Sequence, residues 1–156
     1  MVRILVDADA CPVKEEIYRL AIRHDLDVVM VTHGPLRVPR RGRIQRVQVA
    51  RGLDAADDWI ADQAGPGDIV ITADVPLARR CLDKGARVIA PYGQVFTPES
   101  IGDMLAHRDL LENLRQAGVV TGGPAAYAAS DRTRFLSRLG EAIHALKQAE
   151  VDQSPG

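Results

Sequence analysis

The sequence predicts an α/β protein: a mainly parallel sheet with helices on both faces. Three observations carry that expectation. Short, almost wholly apolar runs at residues 2–6, 27–32, 68–72 and 86–90 alternate with segments of helical period. Two of these runs end in an aspartate followed by a proline that suits a first helical turn, at Asp7 with Pro12 and at Asp74 with Pro76. No further strand signal follows Pro91, so the strands fall in the first part of the chain and the last third reads as helical.

A chain of 156 residues fits a single domain of ordinary size, assigned here to residues 1–150, with 151–156 as a flexible tail. Arg3 and Asp7 interrupt the first apolar run, which argues against a signal peptide, and no apolar stretch has bilayer length. The two cysteines, Cys11 and Cys81, each lie inside a structured stretch and read as free thiols. These features predict a cytoplasmic protein that does not enter a membrane.

The elements follow in order. Residues 2–6 form a first strand. Residues 12–24 form a helix with Ile17, Leu20, Ala21 and His24 on its apolar face. Residues 27–32 form a second strand, broken by His33-Gly34-Pro35. A basic loop leads to a third, more exposed strand carrying Ile44, Val47 and Val49. Asp54 has the chemistry of an N-cap for a helix that Gly65-Pro66-Gly67 ends. Residues 68–72 are the fourth strand, 76–84 a helix, and 86–90 the fifth strand. A helix opening at Thr97 and ending near Gly118 is expected to break around residues 106–109. Thr121-Gly122-Gly123-Pro124 reads as a loop, and Ser130 as the cap of a last helix over residues 131–149.

In open α/β sheets, ligands bind beyond the carboxyl ends of the strands, where strand order reverses. Three places supply acids to that edge: Asp7 and Asp9 after the first strand, Asp54 and Asp57 at a helix start, and Asp74 after the fourth strand. Carboxylates crowded together repel unless a cation or proton sits among them. Oxygen-only donors suit magnesium or manganese, and such an ion can clamp a phosphate oxygen and activate water. The candidate metal ligands are therefore Asp7, Asp54, Asp57 and Asp74, and the candidate catalytic residues are Asp7, Asp9 and Asp74. Each acid also has a plain structural reading: Asp54 and Asp74 as helix caps, Asp57 as a cap supplement, Asp68 as a strand start.

Six arginines (Arg37, Arg40, Arg41, Arg43, Arg46 and Arg51) fall between Asp27 and Asp54 with no acid among them. Arg37, Arg40, Arg41 and Arg43 are candidate ligands for the phosphates of a nucleic acid. A solvated loop and charged edge strand explain them equally well. Cys11 reads as a small buried thiol, the four histidines show no metal-ligand spacing, and no P-loop or dinucleotide fingerprint occurs.

The motifs at residues 6–12 (Val-Asp-Ala-Asp-Ala-Cys-Pro), 36–39 (Leu-Arg-Val-Pro), 52–57 (Gly-Leu-Asp-Ala-Ala-Asp) and 71–78 (Ile-Thr-Ala-Asp-Val-Pro-Leu-Ala) resemble, in order, the YaiI/YqxD family of bacterial proteins. So do Arg108-Asp109, residues 121–124 and Asp131-Arg132. That family is similar to PIN-like nucleases. The resemblance implies a single PIN-like, Rossmann-like domain with a five-stranded sheet of order 3-2-1-4-5 and a helical C-terminal part. It also implies an acidic divalent-metal site. Asp7 and Asp74 match the acids that end the first and fourth strands of PIN-like domains. Asp54 and Asp57 match a helix-borne acid, usually glutamate there. Asp9 and the Cys11-Pro12 pair are marks of the family itself. Val75-Pro76 stands where PIN domains commonly carry a second acid, a departure from a full two-metal site.

Three functions compete at this stage. One is a metal-dependent nuclease acting on RNA or structured nucleic acid. One is a haloacid-dehalogenase-like phosphatase with Asp7 as nucleophile and Asp9 as acid/base. The third is a metal- or RNA-binding module without turnover. The phosphatase needs a phosphate-binding lysine, and Lys14, Lys84 and Lys147 are the lysines on offer, none of them well placed after a predicted strand.

Overall fold

A computed structural model describes residues 1–52, 54–119 and 126–153. The expected loop at residues 121–124 lies outside the described residues. The elements are β1 (Arg3–Asp7), a 3-10 turn (Ala8–Ala10), α1 (Lys14–His24), β2 (Asp27–Thr32), β3 (Arg43–Gln48), α2 (Ala55–Gln63) and β4 (Asp68–Ile71). Then come α3 (Val75–Asp83), β5 (Arg87–Ile89), β6 (Val95–Phe96), α4 (Ile101–Gln116) and α5 (Ala129–Gln153).

One sheet of order β3-β2-β1-β4-β5-β6 organises the chain. Its first five strands are parallel and reproduce the expected 3-2-1-4-5 order. Side chains alternate across a strand, so each apolar run feeds two layers. Ile4, Val6, Val28, Met30, Ile69 and Ile71 pack with α1 and α5 through Ile17, Phe135, Leu139 and Ile143. Leu5, Val29, Val31, Val70 and Val88 pack on the other face with Ile60 of α2, Leu77 and Cys81 of α3, and Ile101 of α4. The central strands are apolar at nearly every position because both faces are covered. β3 is the exposed edge: Ile44 joins the first layer and Val47 the second, while Arg43, Gln45, Arg46 and Gln48 stay exposed or nearly so.

Several local expectations are corrected. α1 starts at Lys14, not Pro12. A residue before proline is driven extended, and Cys11 is so (φ −108°, ψ 109°), which delays the helix until Ile17 N–H can bond the Val13 carbonyl. A sixth strand exists after Pro91. β6 pairs antiparallel with β5 through two residues, too few to show a period in sequence. α4 runs unbroken through residues 106–109, which contain no glycine or proline to stop it. It ends before Gly118, whose φ of +74° is left-handed. α5 begins at Ala129, so Ser130 lies inside it, and the Asp131 carboxylate accepts the Ala128 N–H instead. α5 also extends to Gln153 and takes in the first residues of the expected tail.

Candidate active site

The chain leaves β1 toward β2 and β3 on one side, then returns to β4 on the other. The crevice between the carboxyl ends of β1 and β4 is thus the switch point where α/β sheets bind ligands. Asp7 is the last residue of β1, and Thr72 follows β4. The fully buried Thr72 hydroxyl donates to Asp7 Oδ2 (3.0 Å) and accepts from the Asp74 N–H (3.1 Å). One hydroxyl therefore holds both strand-end acids in place. Asp74 also caps α3: its Oδ1 accepts the Leu77 N–H at 2.9 Å. The structural reading of Asp74 thus holds, and its second carboxylate oxygen remains for a ligand.

α2 starts at the same edge, because the parallel β3 ends there. Asp54 does not cap it as expected. Its backbone is left-handed (φ 66°) and its side chain makes no cap hydrogen bond. Few non-glycine residues adopt that region, and aspartate is among those that tolerate it. Asp57 sits in the first turn of α2, and its pKa is pushed up to about 6, first by burial and then by the charges of Asp74, Asp7 and Asp54. Asp7 is raised too, by burial and by Asp74 and Asp9, against the hydrogen bond from Thr72 and the charge of His33. The four acids therefore share one electrostatic field.

That field has a measurable consequence. Asp57 is raised above its ordinary value of 3.8, so it binds a proton more tightly folded than unfolded. Its contribution is fully present below about pH 3.8 and is lost as pH rises through about 6. Asp57 is partly exposed, so the screened loss is about 1 kcal/mol. In metal-free protein, Asp57→Asn is expected to raise Tm by roughly 2–4 °C at pH 7 and to change it little at pH 4. Melts at the two pH values check this; equal shifts at both would count against the shared field.

Asp9 is held elsewhere. Its Oδ1 accepts from Thr32 Oγ1 (2.7 Å) and its Oδ2 from the His33 N–H (3.0 Å), both at the end of β2. The His33 ring lies 3.9 Å from the same carboxylate. Both oxygens of Asp9, a candidate catalytic residue, thus pin the β1 end to β2. Thr32, Thr72 and His33 are site residues that sequence reasoning missed. The available signal was position: each stands at or just beyond the carboxyl end of a central apolar strand.

Other candidates leave the crevice. Asp58 pairs with Arg80 at 2.9 Å on the surface. Asp68 pairs with Arg3 at the amino edge of the sheet. Arg43 binds Asp27 (Nε to Oδ1, 2.7 Å) and Asp25, also at the amino edge, so it stands at the wrong end of the sheet to meet a phosphate in the acid crevice. A parallel strand that enters at that edge places its first residue there. Arg37 and Arg40 line a surface hollow with Leu36 and Arg46, and Arg41 faces α1. Burial pushes the Cys11 thiol up, which suits a buried thiol rather than a nucleophile. Lys14 and Lys147 each donate to a backbone carbonyl, of Cys11 and His24.

The carboxylates offer the hard oxygen donors that magnesium or manganese prefers. Asp7 and Asp57 are raised, first by burial and then by the neighbouring carboxylates. Among the described residues, no three acids, histidines or cysteines are close enough to form a ready-made metal cage.

Fold and site together define an α/β protein with a doubly wound, mainly parallel sheet and a carboxylate-lined switch-point crevice. The chain belongs to the family described as Uncharacterized BCR, YaiI/YqxD family, whose model matches residues 5–145. It is similar to a UPF0178 protein of Bradyrhizobium diazoefficiens, 53% identical over 96% of this chain and 90% of the relative. A UPF0178 protein of Brucella ovis is 58% identical over 94% of this chain and 91% of its own. One from Rhodopseudomonas palustris is 57% identical over 92% and 90%. No solved structure matches the chain. Among the described residues, no helix is long and apolar enough to cross a membrane.

Proposed function

We propose that this protein hydrolyses phosphodiester bonds in RNA with the help of a divalent cation, magnesium or manganese, held in the switch-point crevice. One observation carries the reading: the Thr72 hydroxyl holds Asp7 and Asp74 together at the crevice, and Asp57 of α2 is driven up to about 6 by burial and by Asp74, Asp7 and Asp54. Acids gathered so that they oppose one another's ionisation are costly in an idle protein, and they cluster where a positive partner is due. Asp7 and Asp74, fixed through Thr72, and Asp57, facing them from α2, are the residues that would hold the cation, with Asp54 adding charge. A bound cation supplies positive charge to the phosphate oxygens and lowers the pKa of water. Asp9 and Thr32 fix the β1 end against β2, so Asp7 keeps its position as charge moves. The phosphatase alternative has less to rest on, because both Asp9 oxygens are already engaged by Thr32 and His33.

The test is cleavage of a mixed RNA pool by purified protein, with manganese or with chelator, comparing wild type with Asp74→Asn. Asparagine keeps the cap on α3 through its side-chain oxygen, so the fold should persist. Cleavage is expected with manganese, absent with chelator, and reduced about 100-fold in the variant. Cleavage that survives both would overturn the reading.

A further inference from the structure

β2 and β3 are parallel, yet no helix crosses between them. The connection is the basic loop of residues 33–42, which lies on the same face as α1 and is anchored there by Leu36 and Val38. Gly42 brings the loop hard against α1: with φ at +74°, a Cβ there would stand 2.8 Å from Ile22 Cγ1. This close approach places Arg41 beside one stripe of α1. Glu15, Arg19 and Arg23 recur every four residues and so share that stripe. With Tyr18 and Ile22 they line a cavity of about 410 Å³.

Two features of the cavity are unspent. Among the described residues, Arg19, Arg23 and Arg41 make no ion pair or hydrogen bond. Arg43 and Arg46, close by in sequence, are both engaged. Three guanidiniums against the single carboxylate of Glu15 leave the lining net positive. Tyr18 is only 5% exposed, and its buried hydroxyl has no hydrogen-bond partner. A buried hydroxyl is normally paired, so an unpaired one on a residue that lines this cavity is a donor without an acceptor.

We infer that this cavity binds phosphate groups, with Arg19, Arg23 and Arg41 as the charged ligands and the Tyr18 hydroxyl as a neutral donor. Guanidinium forks match phosphate oxygens bidentately, and a phosphate offers the charge and the several acceptors that a lone carboxylate lacks. The phosphate belongs either to a polynucleotide backbone or to a free phosphate ion. The site shares no residue with the acid crevice and needs no turnover to be detected.

The experiment uses the full chain in chelator. Anisotropy of a fluorescent single-stranded RNA 12-mer is followed against salt, and Tm is followed with inorganic phosphate at fixed ionic strength. The variants are Arg19→Ala/Arg23→Ala/Arg41→Ala and Tyr18→Phe. The triple change removes exposed side chains and should keep the wild-type Tm without ligand. It is expected to weaken RNA binding at least 10-fold and to flatten the log–log salt slope by about 2, at roughly 0.7 per phosphate contact. Tyr18→Phe is expected to weaken binding about 3- to 10-fold. Its Tm without ligand should be unchanged or higher, since the lost hydroxyl was unpaired. RNA binding lost without any phosphate effect assigns the backbone as ligand. A phosphate-induced rise in Tm, absent in the triple variant, assigns the free ion. If wild type binds neither probe, or the triple variant binds as wild type does, the inference is overturned.

Discussion

Asp7→Asn is expected to reduce metal-dependent RNA cleavage by about 100-fold or more while raising the Tm of the metal-free protein. The two effects have opposite signs for one physical reason. Asp7 is a largely buried carboxylate whose pKa is raised by burial and by Asp74 and Asp9. Its charge is therefore a cost to the fold and an asset only to a cation. Asparagine preserves the shape, and its Oδ1 can still accept the Thr72 hydroxyl that now meets Asp7 at 3.0 Å. Replacements of this kind at functional sites commonly gain about 0.5–2 kcal/mol. Added manganese should then raise the Tm of wild type and leave the variant nearly unmoved, because linkage stabilises only the state that binds. Calorimetric melts with manganese and with chelator, beside the cleavage assay, decide it. A large loss of stability in Asp7→Asn would make the carboxylate structural and remove the metal reading.

Arg3→Ala is expected to cost about 3 kcal/mol, the largest stability loss foreseen for a polar side chain here. Asp68 is 6% exposed, and Arg3 meets it bidentately: Nε to Oδ1 at 3.0 Å and Nη2 to Oδ2 at 2.9 Å. The same guanidinium donates to the Gln63 carbonyl, and the Gly65 N–H donates to Asp68. The pair thus ties the start of β1 to the end of α2 and the start of β4. Removing the arginine leaves a buried carboxylate with the Gly65 N–H as its remaining hydrogen-bond donor. Arg3→Met with Asp68→Asn should recover much of the loss, since no charge is then left buried. Denaturant unfolding of the single and double variants measures the difference. A loss below about 1 kcal/mol in Arg3→Ala would place the pair among ordinary surface bridges.

The sheet was legible because its signal is local and repeated. A strand buried on both faces must be apolar at nearly every position, and residues 4–6, 28–31 and 69–71 are. Asp7 and Asp74 were legible as edge residues for the same reason: an acid at or within three residues of the end of such a run has left the core. Asp54 was misread as a cap because residue type shows capping chemistry but not φ. The arginines between Asp27 and Asp54 form one run in sequence but not one group in space, because nearness in sequence does not say which edge of the sheet a residue meets. Arg43 begins β3 and faces Asp27, while Arg41, two residues earlier, faces α1.

By itself, the sequence determined the class of fold, the places where the strands end and the gathering of acids at one edge. These follow from burial and chain direction, which act residue by residue along the chain. Only the tertiary structure decided which acids face one another and which are already engaged. Thr32 reaches Asp9 across 23 residues, and Thr72 reaches Asp7 across 65. Contacts at such separations are set by strand order and register, and no local pattern encodes them. The pairing of Arg41 with the α1 arginines has the same origin: it exists because Gly42 lets a helix-free crossover press against α1.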